Sequence, residues 1–357
     1  MMDFASDNTA GASQAILAAL AASNGGATSA YGADPLTAKA KRLLEDAFER
    51  EIACFLVTTG TAANALALGA ISPPFGAIFC HEQAHVMEDE CGAPEMFTGG
   101  AKLVGIAGSA GKIAPAHFKA VLADFPRGPE KQVQPAALSL SQVTECGTVY
   151  SCSELSGLSV LAHEAGLMVH MDGARFANAL VSLHCTPAEM SWKTGIDVLS
   201  FGATKNGALA CEAVIFFDPS KAASLPYQRK RGGHTLSKGR FLGAQMAAYL
   251  ENGHWLDLAA RANGHAKRLA AGLAKIAGVR MPWPCEANEV FAILPRKIDA
   301  ALKAAGTFYY PWKFHDVAAT CPPPADDEVF VRLVTSFATE TSQVDGLIAT
   351  ALAGSGL

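Results

Sequence analysis

Short runs of consecutive apolar residues recur along the first two thirds of the chain: GAIFC at 76–80, KLVGI at 102–106, AALSLS at 136–141, GLMVHMD at 166–172, VLSFG at 198–202 and EAVIFF at 212–217. Each is too short for a helix and reads as a strand buried on both faces. SQAILAALAA at 13–22 predicts an opening helix and KAKRLLEDAFER at 39–50 an amphipathic one, with the breaker-rich NGGATSAYGADP between them. EIACFLVTTGTAANALALGA, residues 51–70, passes from an apolar strand through Thr-Gly-Thr into an Ala/Leu helix. Short apolar strands alternating with helices predict an α/β fold with a mostly parallel sheet covered on both faces.

After Gly239 the pattern changes. Residues 240–277 read as one long helical segment, and Pro-containing loops then separate EVFAIL, TFYYPWKF and VFVRLVTSF. This predicts a smaller α+β C-terminal domain reached through helix, with an N-terminal segment at 1–30, a large domain at 31–248 and a small one at 249–357.

Composition narrows the possible functions. The 357 residues are 50% hydrophobic and 17% charged, which suits a packed, enzyme-like body. Lys plus Arg number 28 against 33 acids, a net charge of −5, so there is no electrostatic footprint for nucleic acid or anionic lipid. No apolar run reaches the roughly 18–20 residues of a membrane span. Asp3 and Asp7 stand where a secretory leader needs basic residues, and a cytoplasmic location is expected. Nine cysteines, odd in number and without CxxC spacing, read as free thiols.

Two strand ends carry chemistry. GLMVHMD ends in Asp172, followed by Gly173 and Arg175, at the sheet edge where α/β folds place ligands; taken alone, Asp172 reads equally as a helix N-cap. Thirty-three residues on, VLSFGATK ends in Lys205 behind Thr204, with Gly202, Ala203 and Gly207 reading as space cleared for a planar ligand. A desolvated lysine is a nucleophile toward aldehydes. Pyridoxal phosphate is the common aldehyde cofactor, and its ring nitrogen needs a carboxylate beside it, a place for Asp172. Its phosphate needs a helix N-terminus, which Gly60 and Thr61 supply.

HEQAH at 81–85 matches the H-E-x-x-H zinc pattern, but the pattern needs a helix and FGAIFC before it reads as a strand, so no metal is expected. A dinucleotide-binding oxidoreductase fails for want of GxGxxG, and a non-enzymatic binding protein leaves Asp172, Lys205 and Arg175 without a purpose.

The stretches FASDNT, YGADP, TTGTAANALAL, QAHV, TECGTVY, HMDGARFANAL, SFGATKNGAL and VRLVTSF, spread from residue 4 to 337, resemble the L-threonine aldolases of the β-eliminating lyase group. These are pyridoxal-phosphate enzymes of the aspartate-aminotransferase fold, type I. The resemblance implies Lys205 as the Schiff-base lysine, Asp172 as the partner of the pyridine nitrogen and His85 stacked on the ring. Gly60 and Thr61 would hold phosphate, with Thr204 and Arg175 also at the cofactor and Arg229 or Arg231 reaching a phosphate of the same or an adjoining subunit. Ser6, Arg175 and Arg332 would hold the substrate carboxylate, with Tyr31 and His85 near its hydroxyl.

The implied reaction is retro-aldol cleavage of threonine, allo-threonine or phenylserine to glycine and an aldehyde by a homodimer or homotetramer. Another lyase or an aminotransferase of the same fold is the alternative. Related chains often carry a histidine just before VQPAALSLSQ, where this one has Glu130, Lys131 and Gln132, which leaves His85 as the first choice of base. Gln142 and Glu145 are expected as polar neighbours. Trp312 or Phe314 would favour an aryl aldehyde, and threo/erythro discrimination is expected to be loose.

Overall fold

A computed structural model describes residues 2–313 and 321–356. Its strands, in chain order, are Met2–Asp3 (β1), Ala53–Val57 (β2), Gly76–His81 (β3), Lys102–Ile106 (β4), Gln134–Ser141 (β5), Met168–Gly173 (β6), Val198–Gly202 (β7), Glu212–Phe216 (β8), Glu289–Pro295 (β9), Thr307–Phe308 (β10), Tyr310–Pro311 (β11) and Glu328–Val334 (β12). Seven of them form one sheet in the order β2-β8-β7-β6-β5-β3-β4. The pairings from β4 through β7 are parallel, and β8 runs antiparallel to both β7 and β2. All six apolar runs of the first two thirds are strands of this sheet, and β3, β7 and β8 are buried at every position, as strands covered on both faces must be.

The helices begin where local chemistry predicts. Asp34 caps Pro35–Phe48 by accepting from the Thr37 amide at 2.9 Å, with Pro35 at a position that needs no hydrogen bond. Thr59 caps Gly60–Ile71 through the Ala62 amide at 3.1 Å. That helix packs on the sheet directly beyond β2, so its N-terminus opens at the strands' carboxyl edge.

The expected single helix over 240–277 is two, Arg240–Leu250 and His254–Leu273. Asn252 at φ 55° and Gly253 at φ 71° break the ladder between them, a left-handed step that Asn and Gly tolerate best. The second helix packs with Thr341–Gly354 against the antiparallel sheet β11-β12-β9. Leu269, Leu294, Val331 and Leu347 belong to the buried core of this part.

TFYYPWKF does not form one strand. Thr307–Phe308 pairs with β1 and Tyr310–Pro311 with β12, while Phe314 lies outside the described residues. The N-terminal stretch then threads between the two small sheets, with the Phe4 amide on Phe308 O and the Val334 amide on Phe4 O, both at 2.8 Å. That threading carries Ser6 and Asp7 to the edge of the large sheet.

Candidate active site

Ser141, Asp172 and Ser200 stand side by side in register at the carboxyl ends of β5, β6 and β7. They line a cavity of about 1040 Å³ between the large sheet and the β11-β12-β9 sheet. Ser6, Gly60, Thr61, His85, Asp172, Arg175, Thr204, Lys205 and Arg332 all line it, residues that the sequence had spread over more than three hundred positions. Tyr31 and Arg229 do not: Tyr31 is exposed beneath Lys230 Nζ, 4.9 Å from its ring, and Arg229 Nε reaches Thr235 at 3.3 Å.

Asp172 sits on the cavity floor. Its Oδ1 accepts from the Ala174 amide at 3.0 Å and its Oδ2 from Asn64 Nδ2 at 2.8 Å. Burial works to raise this carboxyl, but the charges of His85 and Lys205 overcome it and hold Asp172 below its ordinary range. Two residues earlier on the same face, His170 is enclosed between Ser139 and Ser200, 2.9 Å from each, and burial pushes it down to about 4, so it is neutral.

Lys205 rises from the one-turn helix Thr204–Asn206 directly after β7. Gly202 does not clear space for a ligand, as expected from the sequence; a side chain there would strike the Ala174 backbone at 2.5 Å, so its absence lets the Lys205 turn close onto the Asp172 turn. Gly207, at φ +113°, faces Leu258 in the same tight way. The turn is also tied by Glu212, whose Oε2 accepts from the Ala203 amide at 2.8 Å. Burial pushes the Glu212 carboxyl up to about 7 against the hydrogen bonds from Thr204 and Ala203.

His85 opens the short helix His85–Glu88. Its Nδ1 is 2.9 Å from Glu90 Oε1, and its amide donates to Glu145 Oε1 at 2.8 Å. The Glu90 hydrogen bond holds the imidazole above its usual pKa, with burial opposing. Glu145 also takes the Ser141 hydroxyl at 2.7 Å, and burial raises it to about 7. Gln142 belongs to the scaffold instead, exchanging hydrogen bonds with the Tyr150 backbone at 2.8 and 3.0 Å. His81 ends β3 and His85 begins a helix, so HEQAH spans a turn, and no cluster of three metal-ligating side chains occurs among the described residues.

The two arginines expected to share a substrate carboxylate are in different situations. Arg175 places Nε and Nη2 on Asp7 at 2.7 and 3.0 Å, a bidentate pair that Asn288 Nδ2 completes at 3.0 Å from Asp7. Arg332 has only a 3.4 Å contact with Ala5 O and a 3.7 Å approach to Glu289, its guanidinium lies 4.0 Å over the Trp312 ring, and its enclosed Nε has no hydrogen-bond partner among the described residues. Arg332 is therefore the fork left for a ligand.

The residues fit pyridoxal phosphate: a helix N-terminus with open space beside Gly60 for the phosphate, a buried carboxylate held ionised for the ring nitrogen, and a lysine on the adjoining strand end. The sequence does not reveal the roles of Asn64, Glu90, Asp7 and Glu289 at this site; the signal each offers is a polar side chain inside an otherwise apolar or motif-bearing segment.

Comparison with known proteins identifies the family and the fold. Residues 3–295 match the family model described as beta-eliminating lyase, and the chain belongs to that family. It has the type I fold of pyridoxal-phosphate enzymes, and pyridoxal phosphate is its cofactor. Two relatives, from Pseudomonas aeruginosa and from a further Pseudomonas strain, are each named low specificity L-threonine aldolase. Each is 42% identical over 312 residues, covering 87% of this chain and 88% of the relative. A structure described as Leishmania major threonine aldolase superposes with a TM-score of 0.90 at 29% identity, covering 98% of both chains. A Sphingomonas wittichii serine palmitoyltransferase, at 15% identity and a TM-score of 0.71 over 99% of this chain and 86% of its own, shares the fold.

Proposed function

We propose that the protein cleaves L-β-hydroxy-α-amino acids, among them threonine, allo-threonine and phenylserine, to glycine and an aldehyde. The observation that carries this reading is the meeting, in one cavity, of Lys205, Asp172 and an Arg332 whose fork makes no bidentate pair. The names of the Pseudomonas relatives support it.

Pyridoxal phosphate, when bound, supplies an aldehyde for an amine and a ring that takes up the electron pair released at Cα. Lys205 would be the amine, Asp172 would keep a proton on the ring nitrogen, and the amides of Gly60 and Thr61 would hold the phosphate. Arg332 would bind the substrate carboxylate and so orient the substituents at Cα, and Ser6, next to the Ala5 carbonyl that Arg332 touches, lines the same cavity. His85, on the cavity wall, would lie against the ring and, directly or through a water, take the β-hydroxyl proton at Nε2. Glu90 on Nδ1 orients the imidazole and raises its basicity.

Tyr310, Pro311 and Trp312 line the cavity next to Arg332 and supply an apolar wall for an aryl side chain. Because the cofactor and carboxylate contacts fix Cα while Cβ is held through one hydroxyl, discrimination between threo and erythro substrates is weak. The assembly is a dimer or tetramer in which Arg229 reaches a phosphate of an adjoining subunit; sedimentation tests the assembly, and a monomer contradicts it. No helix among the described residues is long and apolar enough to cross a membrane.

The test is a substrate panel on the holoenzyme. Glycine and aldehyde release from threonine, allo-threonine and phenylserine is expected, with serine a poor substrate. Amino-group transfer to a keto acid without glycine formation would overturn the reading.

A further inference from the structure

Glu289 is a fully enclosed carboxylate at the cavity. Its side chain is 0% exposed, and neither carboxylate oxygen accepts a hydrogen bond from a described residue. Oε2 lies 3.3 Å from Arg175 Nη1 and Oε1 lies 3.7 Å from Arg332 Nη1. Arg175 does not need this carboxylate, since Asp7 already takes its fork bidentately. Arg332 has no other anion within ion-pair distance among the described residues, and its Nε is enclosed and unpaired. The strand dictates the placement: Glu289 begins β9 in register with Val334 of β12, Arg332 lies two residues earlier on β12, and the Asn288 side chain is pinned between Asp7 and Thr335 O.

We propose that Glu289 is a built-in stand-in for the substrate's carboxylate. It neutralises Arg332 while the substrate is absent and competes with the substrate for that arginine, so that it sets the affinity for the amino acid. The geometry argues for competition over support. At 3.7 Å without a hydrogen bond, Glu289 neutralises the guanidinium without fixing its direction; the Trp312 ring at 4.0 Å does that. A carboxylate arriving at Arg332 must therefore share it with a negative charge a few ångströms away whose own side chain is enclosed, so that the repulsion is screened less than between exposed groups.

This inference rests on the aldolase reading, and the experiment separates the two. Holoenzyme and its Glu289→Gln and Glu289→Asp variants are compared for KM and kcat on threonine and phenylserine. The dissociation constant of glycine is read from the change in cofactor absorbance, and melting temperature confirms that each variant is folded. Gln keeps the shape and removes the charge; KM and the glycine dissociation constant are expected to fall by roughly tenfold, with most of the change in KM rather than kcat. Asp withdraws the charge by one methylene and is expected to give a smaller fall. A rise in both constants in the two variants would make Glu289 a support for Arg332, and no change would make it a bystander; either overturns the inference. Loss of all cleavage in the parent enzyme would instead overturn the aldolase reading.

Discussion

Asn64 Nδ2 donates to Asp172 Oδ2 at 2.8 Å from a buried position inside the Ala/Leu helix Gly60–Ile71. The same nitrogen lies 2.8 Å from Glu90 Oε1, so one amide joins the carboxylate at the ring-nitrogen position to the carboxylate that orients His85. Asn64→Ala would leave two buried carboxylates short of a donor, a loss of about 1–3 kcal/mol. The dissociation constant for pyridoxal phosphate, from titration of its absorbance, is expected to rise at least tenfold. Unchanged affinity would show the bridge to be incidental.

The unequal commitments of Arg175 and Arg332 predict unequal variants. Arg332→Ala is expected to raise KM by roughly a hundredfold, the worth of a charge-assisted fork, while the fold stays stable. Arg175→Ala strands Asp7, whose carboxyl is held low against its own burial by Arg175 and Lys205, and should lower stability by about 3–5 kcal/mol. Equal melting temperatures for the two variants would refute the distinction.

Stability should respond to pH through Glu212 and Glu145, both raised to about 7 from an ordinary 4.5. A raised acid holds its proton more tightly folded than unfolded. Its contribution is therefore complete below about 4.5 and declines as pH climbs to about 7, by at most about 3 kcal/mol for each group. His81 and His170, pushed down to about 4, act in the opposite sense over much of that range, so the informative quantity is the difference from a variant. In cofactor-free protein, Glu212→Gln should gain on the parent steadily from pH 4.5 to 7. Parallel melting curves across that range would count against the buried, proton-holding Glu212.

Trp312 both floors Arg332 and packs edge-on to Phe291, their centroids 6.1 Å apart. Trp312→Ala should raise KM for phenylserine several-fold more than KM for threonine, since only the aryl substrate loses a stacking wall. Equal effects would place the aryl group elsewhere in the cavity.

The sequence made the sheet legible because strands buried on both faces leave unbroken apolar runs, and it made Asp172 and Lys205 legible because each ends such a run. The supporting shell was harder to read. Asn64 lies in NALAL, and its role depends on Glu90 and Asp172, brought close only by the fold. Glu289 heads EVFAIL and reads as the polar start of a strand until β12 sets Arg332 beside it. The break at Asn252-Gly253 was visible in composition, but helix-forming sequence on both sides masked it. At Gly202 the sequence shows a missing side chain, not whether ligand or backbone occupies the space.

Reduction of the holoenzyme with borohydride, followed by peptide mapping, bears most directly on the central claim. Loss of the yellow colour and a pyridoxyl label on Lys205 alone are expected, with no label in Lys205→Ala. A label on another lysine, or a colourless protein that takes up none, would contradict it.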